Sequence, residues 1–232
     1  ENLNAMAQDK TSKHEHNHKE LFQHPDGWGI SYLKNNKWIT KKSTKPIFKD
    51  QNLPKYYNLK TPIFIAHVRK TSGTLVTYEN THPFHIKTKR PYSQNLVFCH
   101  NGTIKDTIEF NTNIFKPKGQ TDTEQLLYAI LSEQHQTHNL LQSIQHQLNK
   151  IQQNIQFSGT NIILSTPQQT IVALAKNKYP KYFQMTLHKT KDYLVISSEP
   201  LKHLTNIKVQ PIPSQTILII DNTTREINTL SF

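Results

Sequence analysis

The chain's single cysteine, Cys99, is followed directly by His100, Asn101 and Gly102 in the stretch NLVFCHNGTI. A thiol beside an imidazole suggests a nucleophile with its base. Strand geometry argues against that pairing. NLVFCH has the pattern of a β-strand, on which successive side chains point to opposite faces, so Cys99 and His100 diverge. Cys99, at the end of VFC, then reads as a small buried hydrophobe. Asn101 and Gly102 offer different chemistry. A side-chain amide and a glycine N–H at a strand end are neutral, preorganised donors that can hold a developing oxyanion. The same dipeptide also suits an ordinary turn, and the residues alone leave both readings open.

Two charged residues extend the pattern. Arg69 closes the apolar run FIAHVR, where its planar fork could grip a carboxylate through two parallel hydrogen bonds. Asp122 stands in the first turn of an expected helix, where it could meet an ammonium group. An arginine for a carboxylate and an aspartate for an amine are what a free amino acid requires. The plainer alternatives are a surface arginine and an acidic residue favoured by the helix dipole. His14, His16 and His18 alternate in a polar stretch and could ligate a metal. With no second cysteine and no carboxylate at fixed spacing, solvent-exposed histidines are favoured, and no metal site is expected.

The elements that must position these residues follow from periodicity. Leu3, Met6 and Ala7 fall at helical spacing. DGWGISYL and KWIT flank KNN as a hairpin with an asparagine turn. TPIFIAHVR is a strand with Ile63, Ile65 and His67 on one face and Phe64, Ala66 and Val68 on the other. Thr121 and Glu124 have capping-box spacing before Leu126, Leu127, Ile130 and Leu131. A second amphipathic helix carries Leu141, Ile144, Leu148, Ile151 and Ile155. The last third reads as strands. This order (strands, two helices, strands) lacks βαβ alternation and predicts an α+β fold with largely antiparallel sheets.

The 232 residues suffice for one domain spanning 1–232 with a full core. The absence of any apolar run of bilayer length argues against a membrane protein, and a lone cysteine suits a reducing compartment, so a cytoplasmic location is expected. Net charge is +12, with eight lysines between Lys34 and Lys60 against Asp50 alone. No RNA-recognition motif, zinc finger or basic recognition helix accompanies that charge, so nucleic acid is disfavoured as a partner.

HPDGWGI, AHVRK, ENTHPF, HNGTI, TDTE and ISSEPL occur in that order across most of the chain. Together they resemble the class II glutamine amidotransferases, which are N-terminal-nucleophile hydrolases, and within them the single-domain branch related to γ-glutamyl hydrolases of ergothioneine biosynthesis. The resemblance implies a four-layer αββα sandwich. It implies hydrolysis of the γ-amide of glutamine or a related γ-glutamyl compound through a cysteine thioester, with release of ammonia and no cofactor. Arg69 would bind the substrate α-carboxylate and Asp122 its α-amine, and Asn101 with the Gly102 N–H would form the oxyanion hole. His100, Asp26 and Trp28 would border the substrate, and Glu79 to Phe84 would shape the pocket wall. The nucleophile in such enzymes is an N-terminal cysteine whose own amine acts as base. Glu1 starts inside the pattern, so roughly 20 residues, a strand and a helix at typical lengths, are expected ahead of it. A separate synthase would be needed to use the ammonia. The alternative is a catalytically inactive module of the same fold that binds a γ-glutamyl ligand or docks a partner.

Overall fold

A computed structural model describes residues 2–10, 22–87, 95–199, 201 and 209–232. His14, His16 and His18 lie outside the described residues. The fold is built on a six-stranded antiparallel sheet in the order β12-β11-β7-β6-β5-β4. Its strands are β4 (Phe84–Lys87), β5 (Asn95–Ile104), β6 (Phe157–Ser165), β7 (Gln169–Leu174), β11 (Thr216–Asp221) and β12 (Ile227–Ser231). Two helices, α2 (Asp122–Thr137) and α3 (Leu140–Asn154), cover one face. Leu126, Leu127 and Ile130 of α2 and Ile144 and Leu148 of α3 pack with Leu96, Phe98, Ile162 and Leu164 into one apolar cluster.

The other face meets two three-stranded antiparallel sheets. One has the order β2-β1-β3, from β1 (Trp28–Lys34), β2 (Lys37–Ser43) and β3 (Phe64–Val68). The other is β10-β8-β9, from β8 (Thr186–Lys189), β9 (Leu194–Ser197) and β10 (Val209–Pro211). Outside the first of these lie α1 (Asn2–Ala7) and two 3-10 turns, Ile47–Lys49 and Leu53–Tyr56, closing a cluster of Ala7, Trp28, Ile30 and Ile47. Helices, sheet, sheet and an outer helical layer form the α+β sandwich that the element order predicts.

Local chemistry explains the joints. Asn35 and Asn36 both have positive φ, 50° and 58°, as the tight β1–β2 hairpin requires. Thr121 caps α2, its side chain accepting from the Glu124 N–H at 3.2 Å. The second half of the expected capping box does not form. The Glu124 carboxylate turns instead to the N–H groups of Lys118 and Gly119, at 2.9 and 2.8 Å. The expected strand end at HNG is also corrected, because β5 continues through Asn101 and Gly102 to Ile104. Gly102, at φ +150°, lies so close to β6 that an added Cβ would sit 1.7 Å from the Gly159 carbonyl oxygen. It is glycine because two backbones meet there, not because the chain turns. Among the described residues no helix is long and apolar enough to cross a membrane.

Candidate active site

Strand alternation on β5 sorts the residues around the site. Val97 and Cys99 face the β2-β1-β3 sheet, packing with Leu33, Trp38 and Ile65. Phe98 faces the helices, and His100 follows it to the first turn of α2. Asn101, next on the inter-sheet side, borders two cavities at once.

The smaller cavity, about 250 Å³, is lined by Arg69, Thr71, Thr74, His100, Asn101, Gly102 and Asp122, among others. Arg69 is only 4% exposed. Its guanidinium donates to Thr74 Oγ1 at 2.6 Å, to Thr71 Oγ1 at 3.3 Å and to the Asp26 carbonyl at 3.5 Å. No carboxylate pairs with it among the described residues. Burial lowers its pKa, and the charges of Asp26 and Asp122 oppose that shift. A buried guanidinium held only by neutral oxygens is an incomplete ion pair, and such a charge is costly until an anion completes it.

Asp122 accepts from the Ile104 N–H at 2.7 Å through Oδ2, and from the Thr123 N–H at 2.9 Å through Oδ1. These bonds fix the carboxylate between β5 and α2 while leaving lone pairs to spare. His100 Nδ1 lies 4.0 Å from Asp122 Oδ2. Burial lowers the His100 pKa, with Asp122 and the Gly159 carbonyl opposing. The carbonyl contact (3.3 Å) assigns the proton to Nε2, so Nδ1 accepts from Thr123 Oγ1 at 3.0 Å. His100 is thus a neutral bracket between β5, β6 and α2. The Asn101 side-chain amide makes no hydrogen bond among the described residues, so its polar atoms are available to a ligand.

The larger cavity, about 460 Å³, is a slot between the two three-stranded sheets. Phe64, Ala66 and Val68 of β3 line one side, and Val195, Ile196 and Ser197 of β9 line the other. Among the described residues β3 pairs only with β1, and β9 only with β8, so each presents an open edge. His67, His100, Asn101 and Tyr182 border both slot and small cavity.

Residues 11–205 match the family of class II glutamine amidotransferases. The chain belongs to that family. It is 33% identical over 110 residues to the protein named "Putative glutamine amidotransferase YafJ" from Escherichia coli K12, covering 47% of this chain and 42% of that protein. A Haemophilus influenzae protein named "Putative glutamine amidotransferase" is 34% identical over 110 residues, covering 44% and 34% respectively. The chain therefore spans less than half the length of these curated relatives. Among solved structures, glutamine phosphoribosylpyrophosphate amidotransferase from B. subtilis superposes with a TM-score of 0.64 at 22% identity, over 90% of this chain and 44% of that one. A class II glutamine aminotransferase domain protein from Silicibacter pomeroyi gives 0.62 at 16% identity, over 88% and 91%. At these identities the likeness establishes only the fold, that of the N-terminal-nucleophile hydrolases.

Five of the seven residues singled out in the amidotransferase sequence (Arg69, His100, Asn101, Gly102 and Asp122) line the small cavity together. Asp26 does not line it. Its Oδ2 accepts from the Thr71 N–H at 2.8 Å, and its backbone N–H donates to the Arg69 carbonyl at 3.0 Å. Asp26 therefore braces the loop that holds Arg69. Trp28 borders neither cavity. It lies on the outer face of β1, 2% exposed, with its indole donating to Asp50 Oδ2 at 3.0 Å. Period-two alternation puts it on the same face as Ile30, packed against Ala7 and Ile47.

Cys99 is 5% exposed in the core, and burial drives its thiol pKa upward, away from nucleophilic character. His82, within the expected pocket wall Glu79 to Phe84, does line the cavity, whereas sequence reasoning missed Thr71 and Thr74, which anchor Arg69, and His67, whose ring is tilted by 36° against His82 at 4.2 Å between centroids. Both histidines line the cavity and both are pushed down by burial, His67 to about 3. Their only sequence signal is membership of AHVRK and ENTHPF.

Proposed function

We propose that this amidotransferase hydrolyses the γ-amide of glutamine or a closely related γ-glutamyl compound. The carrying observation is the buried Arg69 guanidinium, without a carboxylate partner among the described residues, lining the same cavity as the Asp122 carboxylate and the Asn101 amide. A free amino acid carries the two complementary charges. Its α-carboxylate completes Arg69 and its α-ammonium meets Asp122, which leaves the γ-carbonyl for Asn101 and Gly102. Donors aimed at that oxygen would stabilise the tetrahedral intermediates of acyl transfer.

The nucleophile in this reading is a cysteine on an extended segment preceding Glu1. The open edges of β3 and β9, facing each other across the slot, support that location. A strand seated there would satisfy both edges and would carry its end towards Asn101. Its thiolate attacks the γ-carbonyl, ammonia leaves, and water hydrolyses the thioester to glutamate. Any synthase using the ammonia is a separate partner.

In a protein that includes this upstream segment, glutamine is expected to yield equimolar glutamate and ammonia. Arg69→Met is expected to lower kcat/KM about 100-fold, or roughly 3 kcal/mol for a lost bidentate charged pair. Glutamine binding without ammonia release would favour a ligand-binding module on the same fold. That second reading draws on Cys99, the chain's only cysteine, being buried away from the small cavity.

A further inference from the structure

The two charged ends of the small cavity belong to different parts of the chain. Arg69 is held by Thr71 and Thr74 in the segment after β3. Asp122 opens α2, reached through the 116–121 segment. A ligand that touches both ends needs them at a fixed separation, yet no hydrogen bond joins Arg69 to Asp122. One buried side chain spans the gap between the two segments.

Asn80 is 2% exposed. Its Nδ2 donates to the Leu75 carbonyl at 2.9 Å, one residue beyond Thr74. Its Oδ1 accepts from the Gln120 N–H at 2.8 Å, two residues before Asp122. The partners fix the amide's orientation, since a carbonyl only accepts and a backbone N–H only donates. Its own backbone N–H donates to Thr77 Oγ1 at 3.3 Å, tying Asn80 back into the arginine-side segment. Across the joint, the Glu124 carboxylate holds Lys118 and Gly119 and accepts a third bond from the Tyr128 hydroxyl at 3.0 Å. Fit is tight there: a Cβ on Gly119 would lie 2.2 Å from Asn80 Oδ1.

We infer that Asn80 is a positioning residue that sets the spacing between the carboxylate-binding and amine-binding ends of the site, with Gly119 and Glu124 as its seat. This deepens the γ-glutamyl reading and rests on it. Asn80 touches no reacting atom in this account. Its effect appears only for ligands that must reach both ends simultaneously, because orientation benefits a ligand with two anchors and not one with a single anchor.

Binding of three unreactive probes separates this from general loosening. Glutamate carries both the α-carboxylate and the α-amine, glutarate lacks the amine, and γ-aminobutyrate lacks the α-carboxylate. Dissociation constants from calorimetry or NMR titration would be compared between the unsubstituted protein and Asn80→Ala. Glutamate affinity is expected to fall about tenfold or more, while glutarate and γ-aminobutyrate change less than about twofold. Gly119→Ala presses on the same joint from the other side and is expected to reproduce the split, which covers the case of Asn80→Ala failing to fold.

Equal weakening of all three probes, or no change for glutamate, overturns the spacing role while leaving the γ-glutamyl reading intact. An unsubstituted protein that binds none of the three overturns that reading and the spacing role with it.

Discussion

On the helix side of β5, Leu96 and Phe98 are fully buried among Leu126, Leu127, Ile130, Ile144 and Leu148, and the contact is wholly apolar. On the sheet side the same strand begins equally dry, with Val97 and Cys99 against Leu33, Trp38 and Ile65. Within two residues it reaches Asn101, which shares the small cavity with the buried Arg69 and pairs with the buried Asn161 of β6. The helix side supplies burial energy, with His100 at its end held by Thr123 and the Gly159 carbonyl. The sheet side places a buried guanidinium, a tilted imidazole pair and an unpartnered amide around one partly enclosed cavity, where a ligand can satisfy them. The apolar packing that holds the fold thus lies mainly on the helix face of β5, and the carboxylate-binding end of the site on its sheet face.

The largest effect is expected on the helix side. Phe98→Ala should lower the unfolding free energy by about 3–5 kcal/mol, transfer and cavity contributions together, as read by urea titration. Glutamate binding by the folded fraction should be unchanged. A loss of binding without a loss of stability would break the division between the faces.

A smaller effect distinguishes the small cavity, which His67, His82 and His100 all line, through pH. His67, His82 and His100 have their pKa values lowered by burial, His67 to about 3. Each stays neutral in the native state while the unfolded chain takes up a proton below about 6.5. Their contribution is fully present above that value and is lost as pH falls, until the native pKa is reached. The slope should be about 1.4 kcal/mol per pH unit for each histidine. Urea titrations from about pH 7 to about 5 would measure it, and a flat profile would put these imidazoles in contact with water.

The smallest effect is expected at the boundary between the two regimes. Cys99→Ala should cost about 1 kcal/mol at most, the loss of one small buried group, and should leave the proposed ammonia release unchanged in a protein that carries the proposed upstream cysteine. Loss of that activity at unchanged stability would return Cys99 to the chemistry.

Much of this was legible in the residues. The alternation of NLVFCH separates Cys99 from His100, and the asparagine pair marks the β1–β2 hairpin. Spacing also marked Thr121 as the helix cap. What escaped was set by approach between distant segments. Gly102 looked like a turn residue because Asn-Gly favours turns, whereas its reason is the Gly159 backbone pressed against it. Trp28 enters the expected substrate border through the resemblance carried by HPDGWGI, and strand alternation turns it to the outer face, where it borders neither cavity.

By itself the sequence determined the order and type of the main elements, the separation of Cys99 from His100, and the charged residues suited to an amino acid. These follow from periodicity and side-chain chemistry, which are local. Only the tertiary structure decided that Arg69 is buried beside neutral oxygens, that five of the singled-out residues share one cavity, and that Asn80 bridges segments 40 residues apart. Those outcomes depend on which surfaces meet when the layers close, and long-range contact leaves no periodic trace in the chain.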